Sequence, residues 1–196
     1  MTRTTSDDAG DSWGLEDASD EALVRRAKLR DEAAFRVIVD RHGPGMYRYA
    51  VRLMRGSTHD GAEVTQEALI SAWKSLPTFE GRSSLRTWLY RMVHRRAADI
   101  QRNRRPVPID DQLLSRVVRP AHDNPLQDVL DSELLEALQA ALDELPWLQR
   151  SCWLLKEVEG LSYVEIGEAL SIPVGSVRGH LHRGRRVLAE RMARWR

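Results

Sequence analysis

The chain has 196 residues, enough for one large domain or two small ones. Hydrophobic residues make up 42% and charged residues 30%, a balance that supports buried cores and excludes disorder throughout. Cys152 is the only cysteine, so no intramolecular disulfide or cysteine-cluster metal site exists. No apolar run reaches the roughly 18–20 residues that span a bilayer, which predicts no membrane association through a helix. The acidic, polar N-terminus reads as no signal peptide, and a lone cysteine suits a reducing compartment; a cytoplasmic location is expected.

Residues 1–18 are rich in Ser, Thr, Asp and Gly and are expected to form a disordered acidic tail. From Ser19 or Asp20 the pattern turns helical, with Leu23, Ala27, Phe35, Ile38 and Val39 at helical spacing. Gly43-Pro44-Gly45 is expected to break this helix, and Met46, Ala50, Leu53 and Met54 mark a second one. A third helix is predicted from about Asp60 to Leu76, with Val64, Ala68, Leu69, Ala72 and Leu76 on one face. Glu63, Gln66, Glu67, Ile70 and Lys74 share the opposite face. After a loop from Pro77 to Ser84, a fourth helix is predicted over about Leu85–Arg102. Residues 105–124 hold prolines, acids and little periodicity, and read as a linker between a domain over 19–104 and another over 125–196. Asn124-Pro125 is a helix start, and the leucine stripe from Leu126 to Leu145 ends before Pro146. Another short helix is predicted over 147–159, closed by Gly160. No strand-like alternation occurs, so the expected fold class is all-α, two small helical domains joined by a flexible linker.

The C-terminal part reads as a helix-turn-helix. Ser162-Tyr163-Val164-Glu165 fits a capping box that opens a helix of one to two turns. Ser171-Ile172-Pro173 is a tight connection, followed by a long basic helix. In that helix Val177, Leu181, Gly184 and Leu188 are expected to pack inward, with Gly179, His182, Arg183 and Arg186 opposite and Arg178 and Arg185 on the flanks. Arginine suits guanine edges and phosphates because its planar fork makes two parallel hydrogen bonds.

The net charge of +1 hides strong segregation. Residues 81–105 carry eight arginines against Asp99, and residues 172–196 carry seven against Glu190; between them, residues 109–144 carry nine acids and two arginines. Two basic blocks on patterned helices point to two contacts with a polyanion. His42, His59, His94, His122, His180 and His182 show no metal-ligand spacing with acids on a shared face. No phosphate-binding glycine loop or nucleophile elbow occurs, so no catalytic residue, cofactor or metal is expected. From the residues alone, a two-site DNA binder is the reading.

Three segments carry a resemblance: DGAEVTQEALISAW (60–73), FEGRSSLRTWLYRMVHRRAADIQR (79–102) and LDELPWLQRSCWLLKEVEGLSYVEIGEALSIPVGSVRGHLHRGRRVL (142–188). In this order they resemble the extracytoplasmic-function sigma factors, minimal members of the sigma-70 family. The resemblance implies an alternative sigma factor that binds core RNA polymerase, recognises the −10 and −35 promoter elements and promotes melting of promoter DNA. It implies that the face of Glu63, Gln66, Glu67, Ile70 and Lys74 docks on the beta-prime clamp helices of core polymerase. It implies −10 recognition and melting by Phe79, Arg82, Ser83, Ser84, Arg86, Arg91, Arg95 and Arg102, with Arg96 adding backbone charge. Trp88 and Leu89 read as core, and Tyr90 stays unassigned. It implies −35 recognition by Ser176, Arg178, Gly179, His182, Arg183 and Arg186, contact with the beta flap, and an anti-sigma partner. Three departures stand out: Glu63 and Arg95 replace the usual Asp and Asn, and Ser176-Val177-Arg178-Gly179-His180 replaces a more polar run. The last leaves the −35 sequence open. The alternative is a helix-turn-helix regulator acting without polymerase.

Overall fold

The computed structural model describes residues 14–103 and 125–195, without the side chains of 125–132 and 194. The described residues form α1 (Asp20–Lys28), α2 (Glu32–Leu53), α3 (Thr58–Ser75), α4 (Leu85–Asn103), α5 (Pro125–Asp143), α6 (Trp147–Trp153), α7 (Tyr163–Leu170) and α8 (Val174–Arg191). No strand occurs among them. The all-α expectation stands. The expected linker 105–124 lies outside the described residues, as does the tail up to residue 13. Residues 14–18 depart from the expected tail: Leu15 is 3% exposed and packs with the core.

The first predicted helix is two helices. Arg30 has φ 67°, which ends α1, and Asp31 restarts the chain by accepting from the Ala34 amide at 3.0 Å. Arg26 Nε holds the same Asp31 at 2.6 Å. The predicted break at Gly43-Pro44-Gly45 does not occur, because α2 runs through Pro44. Ala34 and Ile38 before it and Met46, Tyr49, Ala50 and Leu53 after it all face the core, so burial on both sides outweighs the lost hydrogen bond. Gly43 also spares the residue before proline its usual side-chain clash.

α1 to α4 pack around Leu23, Ile38, Leu53, Val64 and Val93, each fully buried. α2 and α3 cross at Gly61, where an added Cβ would lie 2.4 Å from Val51 Cγ2 and 2.9 Å from Val51 Cα. In the C-terminal half, α6 continues into a π-helical turn over Leu154–Val158, with the Glu159 amide bonded to the Leu154 carbonyl at 3.1 Å. The predicted 147–159 helix therefore ends on a wider turn. Leu154, Leu155, Ile166, Val177 and Leu181 form the core of this half.

The two halves touch. Arg150, 3% exposed, sits in α6 and donates to the Leu53 carbonyl of α2 at 3.2 Å. The rings of His94 in α4 and Trp147 in α6 lie 5.6 Å apart. α7 lies against α4.

Two outcomes follow. Gly61→Ala forces Val51 backbone to move, which costs more than the gain in helix propensity; a net loss of about 1–2 kcal/mol is expected in urea denaturation. Burial lowers the His94 pKa from its ordinary value to about 4. The unfolded chain then binds this proton first as pH falls, so stability drops between about pH 6.5 and pH 4, by about 2 kcal/mol at pH 5. Denaturation of His94→Gln across this range should lack that component.

Candidate nucleic-acid interface

The basic character of α4 and α8 comes from arginines placed on opposite sides of apolar seams. In α4, Leu85, Leu89, Val93 and Ala97 face the core at helical spacing. Ser84 starts the helix by accepting from the Thr87 amide at 3.1 Å, so its hydroxyl is an N-cap group as well as a candidate DNA contact.

Apart from Ser84, the candidate −10 residues lie in a recess, beneath the C-terminal half or at the far end of α4, with Arg91 shared by the first two places. Phe79, Arg82, Ser83 and Arg91 line an open recess of about 360 Å³, together with Trp88 and with Glu168 from α7. Phe79 is 9% exposed, and its ring lies 4.8 Å from that of Trp88 at 42°. Trp88 is packed against the core and also lines this recess. Arg86 and Arg91 are half-buried beneath the C-terminal half. Arg95 and Arg102 are exposed at the other end of α4, with Arg102 paired to Asp99. Arg82 is exposed and pairs with Glu80 at 2.8 Å.

Arg96 stands apart from the other arginines of α4. Its Nε lies 2.5 Å from Glu67 and its guanidinium 3.4 Å from Glu63, so α4 braces two acids of the candidate polymerase face. That face is otherwise as expected. Ile70 is 45% exposed, with Gln66 and Lys74 exposed beside it. Val64, Ala68 and Ala72 turn inward, which is what aims the others outward.

In the C-terminal half the capping box forms in full. Ser162 accepts from the Glu165 amide at 3.2 Å, and Glu165 accepts from the Ser162 amide at 2.8 Å. These bonds hold the Glu165 carboxyl below its usual pKa. Ser171 takes a left-handed conformation at φ 57° and turns the chain into α8. Val177, Leu181, Gly184 and Leu188 are buried as expected. Arg178, His182, Arg183 and Arg186 are exposed, while Ser176 and Gly179 are half-buried. An added Cβ at Gly179 would stand 3.4 Å from the Arg183 guanidinium, so Arg183 folds back over the glycine.

Sequence reasoning missed Glu159, which proves central. Its side chain is 2% exposed and accepts a hydrogen bond from Tyr90 of α4, with Arg86 Nη2 at 3.8 Å and Arg48 Nη2 at 3.9 Å. Tyr90, unassigned in the sequence, is thus buried, and its pKa is raised by burial and by Glu159. The only signal was Gly160 next to it, which marks a turn but no partner. Against expectation, His59, Asp60 and Glu63 bring ligand-type atoms within 4.8 Å of one another at the start of α3. Glu63 already meets Arg96 there, and nothing further marks a metal site. Cys152 is fully buried, which pushes its thiol up to about 12. No helix among the described residues is long and apolar enough to cross a membrane.

Residues 38–106 match the family model of sigma-70 region 2, and residues 135–188 that of sigma-70 region 4. The chain is similar to the ECF RNA polymerase sigma factor SigE of Mycolicibacterium smegmatis, 39% identical over 80% of this chain and 61% of the relative. It is similar to SigW of Bacillus subtilis, 31% identical over 86% of this chain and 94% of that protein. It is also similar to the ECF sigma-E factor of Haemophilus influenzae, 32% identical over 90% and 97%. The fold resembles that of CnrH, solved in complex with the cytosolic domain of CnrY, at TM-score 0.66, 24% identity and coverage of 87% and 95%. It also resembles the sigma factor RpoE of Bartonella quintana, solved with the anti-sigma factor NepR, at TM-score 0.61, 22% identity and coverage of 81% and 96%. The regulator alternative is not favoured, because the N-terminal half matches a sigma region rather than a sensor. On these matches the chain belongs to the extracytoplasmic-function (ECF) sigma factors of the sigma-70 family.

Proposed function

We propose that this chain is an alternative sigma factor that directs core RNA polymerase to promoters through two modules, 19–104 and 125–196, joined by 105–124. The observation that carries the reading is the presence of both sigma regions, in family order, on one chain. Each is supported by a face of fitting chemistry. It is a non-catalytic initiation factor that works by binding.

Docking falls to α3. An exposed Ile70 between Gln66, Glu67 and Lys74 offers a small apolar anchor beside charged groups, a pattern suited to docking on the clamp helices of beta-prime. The C-terminal module contacts the beta flap. Melting needs no ATP if bases that leave the stack are captured. The recess of Phe79, Arg82, Ser83, Trp88 and Arg91 supplies an aromatic wall and cations for that purpose. Arg86, Arg95 and Arg102 track the backbone. α8 enters the −35 major groove with Arg178, His182, Arg183 and Arg186, while Ser176 and Gly179 allow close approach. An anti-sigma protein is the expected regulator, as in the Bartonella relative solved with NepR.

Run-off transcription with core polymerase and genomic promoter fragments tests the reading. Initiation dependent on the chain is expected; DNA binding without initiation would reject it. In the same assay Ile70→Asp should lower affinity for core polymerase about tenfold or more, with the fold unchanged by circular dichroism. Arg178→Ala and Arg183→Ala should each cost about 1–3 kcal/mol on the cognate −35 duplex and less on scrambled duplex. An equal loss on both would make them phosphate contacts alone.

A further inference from the structure

Gly179 stands where the backbone has no use for a glycine. It lies inside the regular helix α8 and takes no positive φ, unlike Gly56, Gly81 and Gly160. A glycine in such a place weakens a helix. Close packing of α8 does not require it either. The three heavy atoms nearest to an added Cβ all belong to Arg183, with Nη1 at 3.4 Å, Nη2 at 3.6 Å and Cζ at 3.8 Å. Gly184, on the inward seam, meets Gln149 and Leu145 instead. The space that Gly179 leaves is filled by the guanidinium of Arg183.

The same guanidinium meets His180. Its Nη2 lies 3.5 Å from His180 Nδ1. Guanidinium nitrogens only donate, so Nδ1 is the acceptor, and His180 is neutral with its proton on Nε2. Partial burial and the Arg183 charge both hold the His180 pKa below its ordinary value, which favours that form. Other arginines of α8 are held by acids, Arg185 by Glu157 and Arg191 by Glu144, each at 2.6 Å. Among the described residues Arg183 pairs with no carboxylate. A carboxylate would orient the guanidinium but offset its charge and repel DNA. An imidazole orients it and leaves the charge and the remaining donors for a nucleic acid. Helical side chains lean towards the N-terminus, and folding over Gly179 carries Arg183 further that way. That is the end of a recognition helix that meets base edges.

We infer that Gly179, His180 and Arg183 form one reading unit, in which His180 is a positioning residue that holds Arg183 over Gly179 so that its fork meets one guanine in the major groove. The unit gives a purpose to the run Ser176-Val177-Arg178-Gly179-His180, where the chain departs from its family. An arginine from the next turn takes the place left without a side chain at 179, and residue 180 aims it. Arginine suits guanine because its two parallel donors match O6 and N7. This inference rests on the placing of α8 in the −35 major groove.

The test uses holoenzyme assembled from core polymerase and this chain. Fluorescence anisotropy is measured on promoter duplexes in which each −35 base pair is changed in turn. Arg183→Ala locates the pair that Arg183 reads, expected to be G·C, as the position where discrimination collapses. At that pair His180→Ala and Gly179→Val should each cut discrimination at least about threefold, the worth of one hydrogen bond, and leave the other pairs unchanged. Valine is no worse a helix former than glycine, so circular dichroism should show the fold intact. His180→Asn presents a side-chain oxygen near the place of Nδ1 and should keep discrimination within about twofold of the original. Unchanged discrimination in His180→Ala, or an affinity loss equal at every base pair, overturns the unit while Arg183 stays a base reader. An equal loss at every pair in Arg183→Ala itself rejects the base contact proposed above, and the unit with it.

Discussion

Helix α4 has to serve two neighbours at once, and the rest of the structure follows from how it divides its faces. Leu85, Leu89, Val93 and Ala97 belong to the N-terminal core. Arg86, Thr87, Tyr90 and Arg91 belong to the boundary with the C-terminal half, with Thr87 reaching Glu165 at 3.4 Å. Arg96 faces a third way and steadies Glu63 and Glu67 on α3. A single helix therefore links the core, the candidate DNA surface and the candidate polymerase surface. The periodicity that makes it amphipathic also sets which arginines are occupied by protein and which, like Arg95 and Arg102, remain exposed.

That division explains what was legible in the sequence. The inward seams of α3 and α8 follow a 3.6-residue period, and Val64, Ala68, Val177, Leu181 and Leu188 are buried where that period puts them. The capping box at Ser162 forms because all its partners lie within four residues. Local chemistry of this kind can be read from one strand of text. Long-range burial cannot: Pro44 looked like a helix end, yet the core contacts of Ile38 and Met46 carry α2 through it. Asp31 was the reverse case, a local N-cap hidden inside an apolar pattern that continued across the break.

The candidate site was legible in the same measure. Arg178, His182, Arg183 and Arg186 share an exposed face, as helical geometry requires of their spacing. The expectation of two domains joined by a flexible linker carried no information on whether they touch. Glu159 and Tyr90 are 69 residues apart, and Arg150 and Leu53 are 97 apart. A glutamate before a glycine has no periodic or motif signature that names a tyrosine so distant. Its role arises only once both halves are folded and placed side by side.

The two halves meet through apolar packing and through polar contacts that cross between them. Leu23, Ile38 and Leu53 of one half and Leu154, Leu155 and Ile166 of the other are all buried and belong to one hydrophobic core. What crosses by hydrogen bond is mainly arginine to backbone carbonyl: Arg150 to Leu53, Arg86 to Glu159, Arg91 to Glu168. Water can replace such charge-assisted bonds at a net cost of about 1.5–3 kcal/mol each, whereas exposing an aliphatic core would cost far more. Arginine suits such a boundary, because its planar fork holds a backbone carbonyl while its charge stays hydrated at the edge.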